Sequence, residues 1–382
     1  MNQKEIGELR RRLRLEKNNI TTIYGCFVNG SGEIVACIDD AVSMLKQEET
    51  EVYLDRLRKC LSGLQERNLI DVAFTTAQVA GSEEHGLLTA VWRSQGRDEE
   101  ARNALFRKII DGLELPETNY VILLAADSYD VPYRGADDEE FGEGSEQVYR
   151  YFICAVCPVK DAAADLRFFY ETNEFHISSS GPVVGNTALG FLFPAFDDRA
   201  TNLYNALYYA QKPGELHPEL IRALFRTEPP MSAPDQKDIF DTLLYDTLEE
   251  DCSFEVAQSI HEQLTERVEQ HKAAKDPEPL SLSAGEVASI LRQSHVSDRH
   301  IDAFTKAAEE EYGDEEAFHP ANLVGKKFEI VTPDVKISTS TEFSASIETR
   351  TLTGRKYLMI PVEDEVMVNG IRVKLTGQEA SD

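Results

Sequence analysis

Two short stretches carry the acidic side chains best placed for chemistry. In GFLFPAFDDRATN (190–202) an apolar run ends on Asp197, Asp198 and Arg199, and in YDVPYR (129–134) a second apolar run ends on Asp130. Neighbouring carboxylates suit a divalent cation, which takes oxygen ligands, or a general acid and base; arginine suits a carboxylate or phosphate. His176, in HISSSG (176–181), adds an imidazole. Together Asp130, Asp197, Asp198 and Arg199 form a candidate catalytic set for metal-assisted hydrolysis, with Asp197, Asp198 and His176 as ligands to a divalent cation. Each residue also has a plainer reading. Either aspartate would cap a helix starting near residue 198, and Asp197 would pair locally with Arg199. HISSSG would be a serine-stabilised turn, and YDVPYR an exit turn with a surface ion pair. What separates the readings is whether Asp130 and Asp197 or Asp198 face one another.

Other spacings are less productive. Cys154 and Cys157 stand three apart in YFICAVCPV, where a strand would send them to opposite faces, so they are expected to be buried thiols and not a redox or zinc pair. His261-Glu262-Gln263-Leu264-Thr265 begins like a helical zinc motif but has threonine where the second histidine belongs. It is expected on the solvated face of a helix whose apolar stripe is Val256, Ile260, Leu264 and Val268. GPVVGNTALG (181–190) lacks the lysine of a phosphate-binding loop and reads as an irregular loop.

The elements that must position these residues follow from periodicity. Residues 2–16 have helical spacing, with Ile6, Leu9 and Leu13 on one stripe. Residues 20–39 read as a hairpin around Asn29-Gly30, 48–64 as an amphipathic helix, and 68–76 as a strand. Ser82 is placed to cap the next helix, another helix spans 98–113, and 119–129 and 148–159 are apolar runs of the kind buried on both faces. Between those runs RGADDEEFGEGSEQ (134–147) reads as a surface loop. Residues 165–177 read as one more strand. Helices are predicted at 198–210, 218–226, 235–248, 253–274, 284–293 and 297–312, and β structure returns from about 322, with an Asn369-Gly370 turn.

This pattern implies an α/β (α+β) class. The expected domains are a mixed-sheet domain with a basic N-terminal helix over 1–180, a mainly helical region over 181–320, and a small β domain over 321–377. The formal net charge is -29. Residues 1–17 nevertheless hold six basic side chains against three acidic ones, which leaves an acidic body behind a basic leader. Such a body repels phosphate backbones, so nucleic-acid contact is expected only through Arg10, Arg11, Arg12 and Arg14. No stretch has the length and apolarity of a membrane span or a signal peptide, and six scattered cysteines do not make a disulfide framework, so a cytoplasmic location is expected.

Seven strings, EKNNITTIYGCFVN, NLIDVAFTTAQV, YDVPYRG, CAVCPVK, GFLFPAFDDRATNLYNALYY, KDPEPLSLSAGEV and ETRTLTGRKYLMI, resemble a family of uncharacterised proteins of similar length from Gram-positive, largely clostridial bacteria. The resemblance spans nearly the whole chain and implies a bacterial cytosolic setting, without an activity or catalytic residues. The function expected from the residues is that of an interaction or regulatory protein with protein partners. The alternatives are the metal-assisted hydrolase or phosphoesterase above and a translation- or RNA-associated factor that binds through its basic N-terminal helix.

Overall fold

The computed structural model describes residues 1–113, 115, 117–134, 140–141, 147–169, 173–178, 181–312, 318–325, 327–362 and 366–373. The chain divides into two compact units, Met1–Gln236 with Asp276–Pro279, and Lys237–Lys275 with Leu280–Asp382.

Unit 1 opens with helix α1 (Gln3–Arg12). The Asn2 side chain accepts the Lys4 and Glu5 N–H groups, and the Glu5 carboxylate accepts the Asn2 N–H at 2.8 Å, a capping box that starts the helix cleanly. The expected hairpin forms from β1 (Thr22–Val28) and β2 (Ile34–Ala41), followed by α2 (Gln47–Lys59) and β3 (Leu69–Ala73). Then come α3 (Thr76–Gly81), α4 (Glu83–Ser94) and α5 (Glu99–Gly112). Ser82 caps α4 by accepting the His85 N–H at 3.1 Å. Next are β4 (Asn119–Val131), the short pair β5 (Tyr133–Arg134) and β6 (Glu140–Phe141), and β7 (Gln147–Ala162). A two-stranded ribbon follows, β8 (Asp165–Phe169) and β9 (Glu174–Ser178), then β10 (Gly181–Val184) and β11 (Leu189–Phe193). The unit continues through β12 (Ala195–Asp197), β13 (Ala200–Asn202), β14 (Asn205–Ala210) and α6 (Pro218–Phe225).

The large sheet runs β2-β1-β4-β7-β11-β14-β3, with β10 also on β7. The class is α+β, and every described pairing in this sheet is antiparallel, without the parallel component of a mixed sheet. Helices α2 to α5 lie in connections between strands that are not sheet neighbours, so strand-helix alternation along the chain does not create crossovers between parallel neighbours. Both faces are covered. On one side Cys26, Leu124, Phe152, Cys154, Phe191 and Tyr208 pack with Leu88, Ile109, Leu220 and Phe225 of α4, α5 and α6. On the other, Leu123, Ile153, Ala155, Cys157, Leu192 and Leu207 pack with Ile6, Leu9 and Leu13 at the N-terminus and with Leu54 and Leu57 of α2. Cys154 and Cys157 thus face opposite sides, as strand geometry requires.

Three stretches differ from their sequence reading. Residues 198–210 are strands and not a helix. Leu203, Tyr204, Leu207 and Tyr208 fit a helical stripe, but Ala206 to Ala210 are all buried because β14 is hydrogen-bonded on both sides and covered on both faces. A strand buried in that way has no alternation to reveal it. Residues 165–177 form two antiparallel strands and not one, and Asn173 holds a left-handed φ of 58° that asparagine tolerates. Within 181–190, the first four residues pair with β7 and are not irregular. The loop read over 134–147 lies largely outside the described residues.

Unit 2 begins within α7 (Ala233–Leu248) and continues through a 3-10 turn, Glu249–Asp251, to α8 (Phe254–Ala274), α9 (Ala284–Gln293), α10 (Asp298–Tyr312) and α11 (Pro320–Leu323). Phe240, Phe304 and Phe318 meet at its centre, with ring centroids 5.6 to 6.2 Å apart. The β part is three separate ribbons: β15 (Phe328–Val331) with β16 (Lys336–Thr339), then, after α12 (Thr341–Ser344), β17 (Glu348–Leu352) with β18 (Arg355–Met359), and β19 (Val366–Val368) with β20 (Ile371–Val373). Asn369 and Gly370 both have positive φ, the turn expected of that pair. His261 is not on a solvated face of α8: its ring is half-buried, 5.2 Å from the Phe328 ring, and burial depresses its pKa. The HExxT spacing gave no sign of this, because the ribbon that covers it lies more than sixty residues downstream.

Candidate functional site

The Asp197-Asp198-Arg199 stretch builds a turn and not a helix cap. Asp197 pairs with Ala200, leaving Asp198 and Arg199 as a two-residue loop with φ of 48° and 60°. That loop suits the right-handed twist of a hairpin, and aspartate tolerates it better than arginine does. Arg199 is held there by α1 and by the YDVPYR stretch. Its N–H donates to Glu5 Oε1 at 3.2 Å, its Nη1 lies 2.7 Å from Glu8 Oε2, and its Nη2 donates to the Pro132 carbonyl at 3.0 Å. The Tyr129 hydroxyl donates to Glu8 as well.

Beside this loop, the Met1 ammonium, fully buried, sits 2.6 Å from Asp197 Oδ1 and 3.0 Å from Asp71 Oδ2. Asp197 Oδ2 also accepts from Asn202 and Asn205. Burial would raise the Asp197 pKa, but the ammonium and the two amides outweigh it and hold the carboxyl below its usual value. Asp71 shares the same ammonium. Burial, only partly offset by the ammonium, pushes its carboxyl up to about 6, with Asp197 and Glu66 adding repulsion. Burial would lower the ammonium pKa, yet the two carboxylates raise it overall, so the amine is a cation at neutral pH and neither a base nor a nucleophile.

The structure therefore ties the two candidate stretches together through Arg199 and Pro132, but it does not bring their carboxylates to one shared ligand. Asp197 is committed to the ammonium. Asp130 and Asp198 are exposed, the first opposite Val148 on β4. His176 is on the ribbon strand β9, half-exposed and 3.2 Å from Glu174. Among the described residues, the His, Cys, Asp and Glu side chains close enough to share one ion are Glu249, Glu250 and His300, and none of the sequence candidates is in that group.

The N-terminal arginines divide. Arg12 is spent on the protein itself: its Nη2 donates to the Ser128 carbonyl at 3.1 Å, lies 3.4 Å from Asp127 Oδ2, and its guanidinium stacks 4.3 Å from the Tyr129 ring centroid. Asp127, buried, also accepts the Asn19 N–H and the Tyr151 hydroxyl at 2.8 and 2.9 Å. Arg10, Arg11 and Arg14 are exposed. Sequence reasoning missed Asp71, Asp127, Glu5 and Glu8 because their partners lie up to 194 residues away; only the Asn2-x-x-Glu5 capping pattern was there to be read.

A different feature is open to solvent. On the β8–β9 ribbon, Leu166 stands opposite Ile177 and Phe168 opposite Phe175, which places all four on one face. They are 61%, 74%, 36% and 65% exposed. The two phenyl rings meet edge to face at 5.0 Å. In unit 2 the β17–β18 ribbon is exposed along nine of its ten residues, with Leu352, Tyr357 and Met359 among them. Among the described residues, no helix is long and apolar enough to cross a membrane.

A comparison with curated proteins finds no match. Residues 1–371 match the family described as Domain of unknown function (DUF4317), and the chain belongs to that family.

Proposed function

We propose that the protein acts by binding other proteins, and that the apolar face of the β8–β9 ribbon is its principal docking surface. The observation that carries this reading is the exposure of Leu166, Phe168, Phe175 and Ile177 on one side of a two-stranded ribbon. A two-stranded ribbon is marginal by itself in water, and large apolar side chains gathered on one exposed face mark an interaction surface more often than single scattered ones. The ribbons of unit 2 support the same reading, since Leu352, Met367 and Ile371 are each half-exposed or more. Catalysis by the acidic stretches has weaker support, because Asp197 is neutralised by an internal cation.

Affinity capture from the cells that make the protein tests the proposal, with wild type beside the Phe175→Ser/Ile177→Ser double variant. Both substituted side chains are largely in solvent, so the fold should be unaffected. Partners retained by wild type and lost by the variant at equal thermal stability support the reading. An identical set of captured proteins removes this ribbon from it.

A further inference from the structure

We propose that Glu249, Glu250 and His300, in the helical part of unit 2, form a binding site for a divalent transition metal of the zinc class. Helix α7 ends at Leu248, and the 3-10 turn that follows projects three acidic residues, Glu249, Glu250 and Asp251. His300 lies in the first turn of α10 and is 4% exposed. Its Nδ1 is 2.7 Å from Asp251 Oδ2, an oxygen that also accepts the Ser297 N–H at 2.9 Å. An imidazole that donates from Nδ1 to a carboxylate presents the Nε2 lone pair on its far side. This is the arrangement by which an outer carboxylate orients and strengthens a metal-binding histidine.

The far side is where the second observation lies. His300 Nε2 is buried and has no hydrogen-bond partner. A buried ring nitrogen without a partner is costly, and histidine rings usually avoid it. Glu249 Oε2 stands 3.7 Å away, too far for a hydrogen bond. It is close to the separation of two ligands on one zinc ion: bonds of about 2.0–2.1 Å in a tetrahedral arrangement put ligand atoms about 3.4 Å apart. A Glu250 oxygen completes a trio of ligand atoms, all within 4.8 Å of one another. One imidazole and two carboxylates suit zinc, cobalt or manganese better than calcium or magnesium, which favour all-oxygen shells. Glu249 and Glu250 are exposed, so the remaining coordination positions face water.

The full chain, stripped with a chelator, is titrated with zinc by calorimetry and with cobalt while its visible spectrum is followed. Wild type should take up one ion per chain more than the Glu249→Gln/Glu250→Gln variant, with a tetrahedral cobalt spectrum that the variant lacks. Asp251→Asn should weaken zinc binding about 10–100-fold, as expected for an outer partner. The glutamates are in solvent, so the double variant keeps its fold, which circular dichroism verifies. Superimposable titrations of wild type and the double variant would overturn the site, because any adventitious binding elsewhere on the acidic surface is common to both.

Discussion

Arg199 Nη1 lies 2.7 Å from Glu8 Oε2, joining a two-residue turn to a helix 191 positions earlier in the chain. The pair is mostly shielded, with side chains 24% and 13% exposed, and the same guanidinium holds the Pro132 carbonyl. Arg199→Ala should therefore lower stability by about 2 kcal/mol, the range for hydrogen bonds to charged groups. Arg199→Lys should recover only part of this, since an ammonium lacks the planar fork that serves both acceptors. Urea unfolding measures both. An unchanged midpoint for the alanine variant would mean that the pair is only a surface contact.

The acids around Met1 titrate in opposite senses. Asp71 is raised to about 6, so its contribution to stability is fully present below its ordinary value near 3.8 and is lost as pH rises through about 6. Asp197 is lowered, so its contribution is present above that ordinary value and is lost as pH falls through the depressed one. Asp71→Asn should consequently remove a decline in unfolding free energy between about pH 4 and 6. The effect is moderated because a third of the Asp71 side chain remains open to solvent. Unfolding curves collected across this interval test the sign, and an unchanged slope in the variant would contradict it.

Thiol chemistry offers an independent check of the sheet. Cys26, Cys60, Cys154 and Cys157 are buried and Cys37 and Cys252 are exposed, none of them in a disulfide. Burial raises every buried thiol, Cys26 to about 12, and raises Cys252 as well. A thiol reagent should label Cys37 first and Cys252 second in the native protein, and the other four only after denaturation. Early labelling of Cys154 or Cys157 would show that the sheet is not packed on both faces.

Gly190 shows why the apolar run before Asp197 starts as it does. A Cβ there would lie 2.3 Å from Cys60 Sγ and 2.5 Å from the Cys154 carbonyl oxygen. Gly190→Ala should cost about 3 kcal/mol by overpacking, read as a lowered melting temperature. A variant as stable as wild type would mean that α2 can shift away from the sheet without penalty.

Local pattern made much of this fold legible. The stripe of Ile6, Leu9 and Leu13, the Ser82 cap and the Asn369-Gly370 turn are encoded within a few residues, and each is where the sequence places it. Strand β14 was hidden because continuous burial removes the alternation that marks a strand. The Asp198-Arg199 turn was hidden because arginine is an unusual residue for a left-handed conformation, and what holds it there, Glu5 and Glu8, lies far away in sequence. Asp197 read as a metal ligand or as a local partner of Arg199 for the same reason: its cation is at position 1.

The proposal that the β8–β9 ribbon docks a protein partner is tested most directly by a photo-crosslinking phenylalanine analogue at position 175, introduced in the cells that make the protein. Tyr245, 74% exposed on α7, is the matched control position. The account predicts a discrete higher-mass adduct from position 175, containing a second protein, and none from position 245. No adduct from position 175, or the same adducts from both, would contradict it.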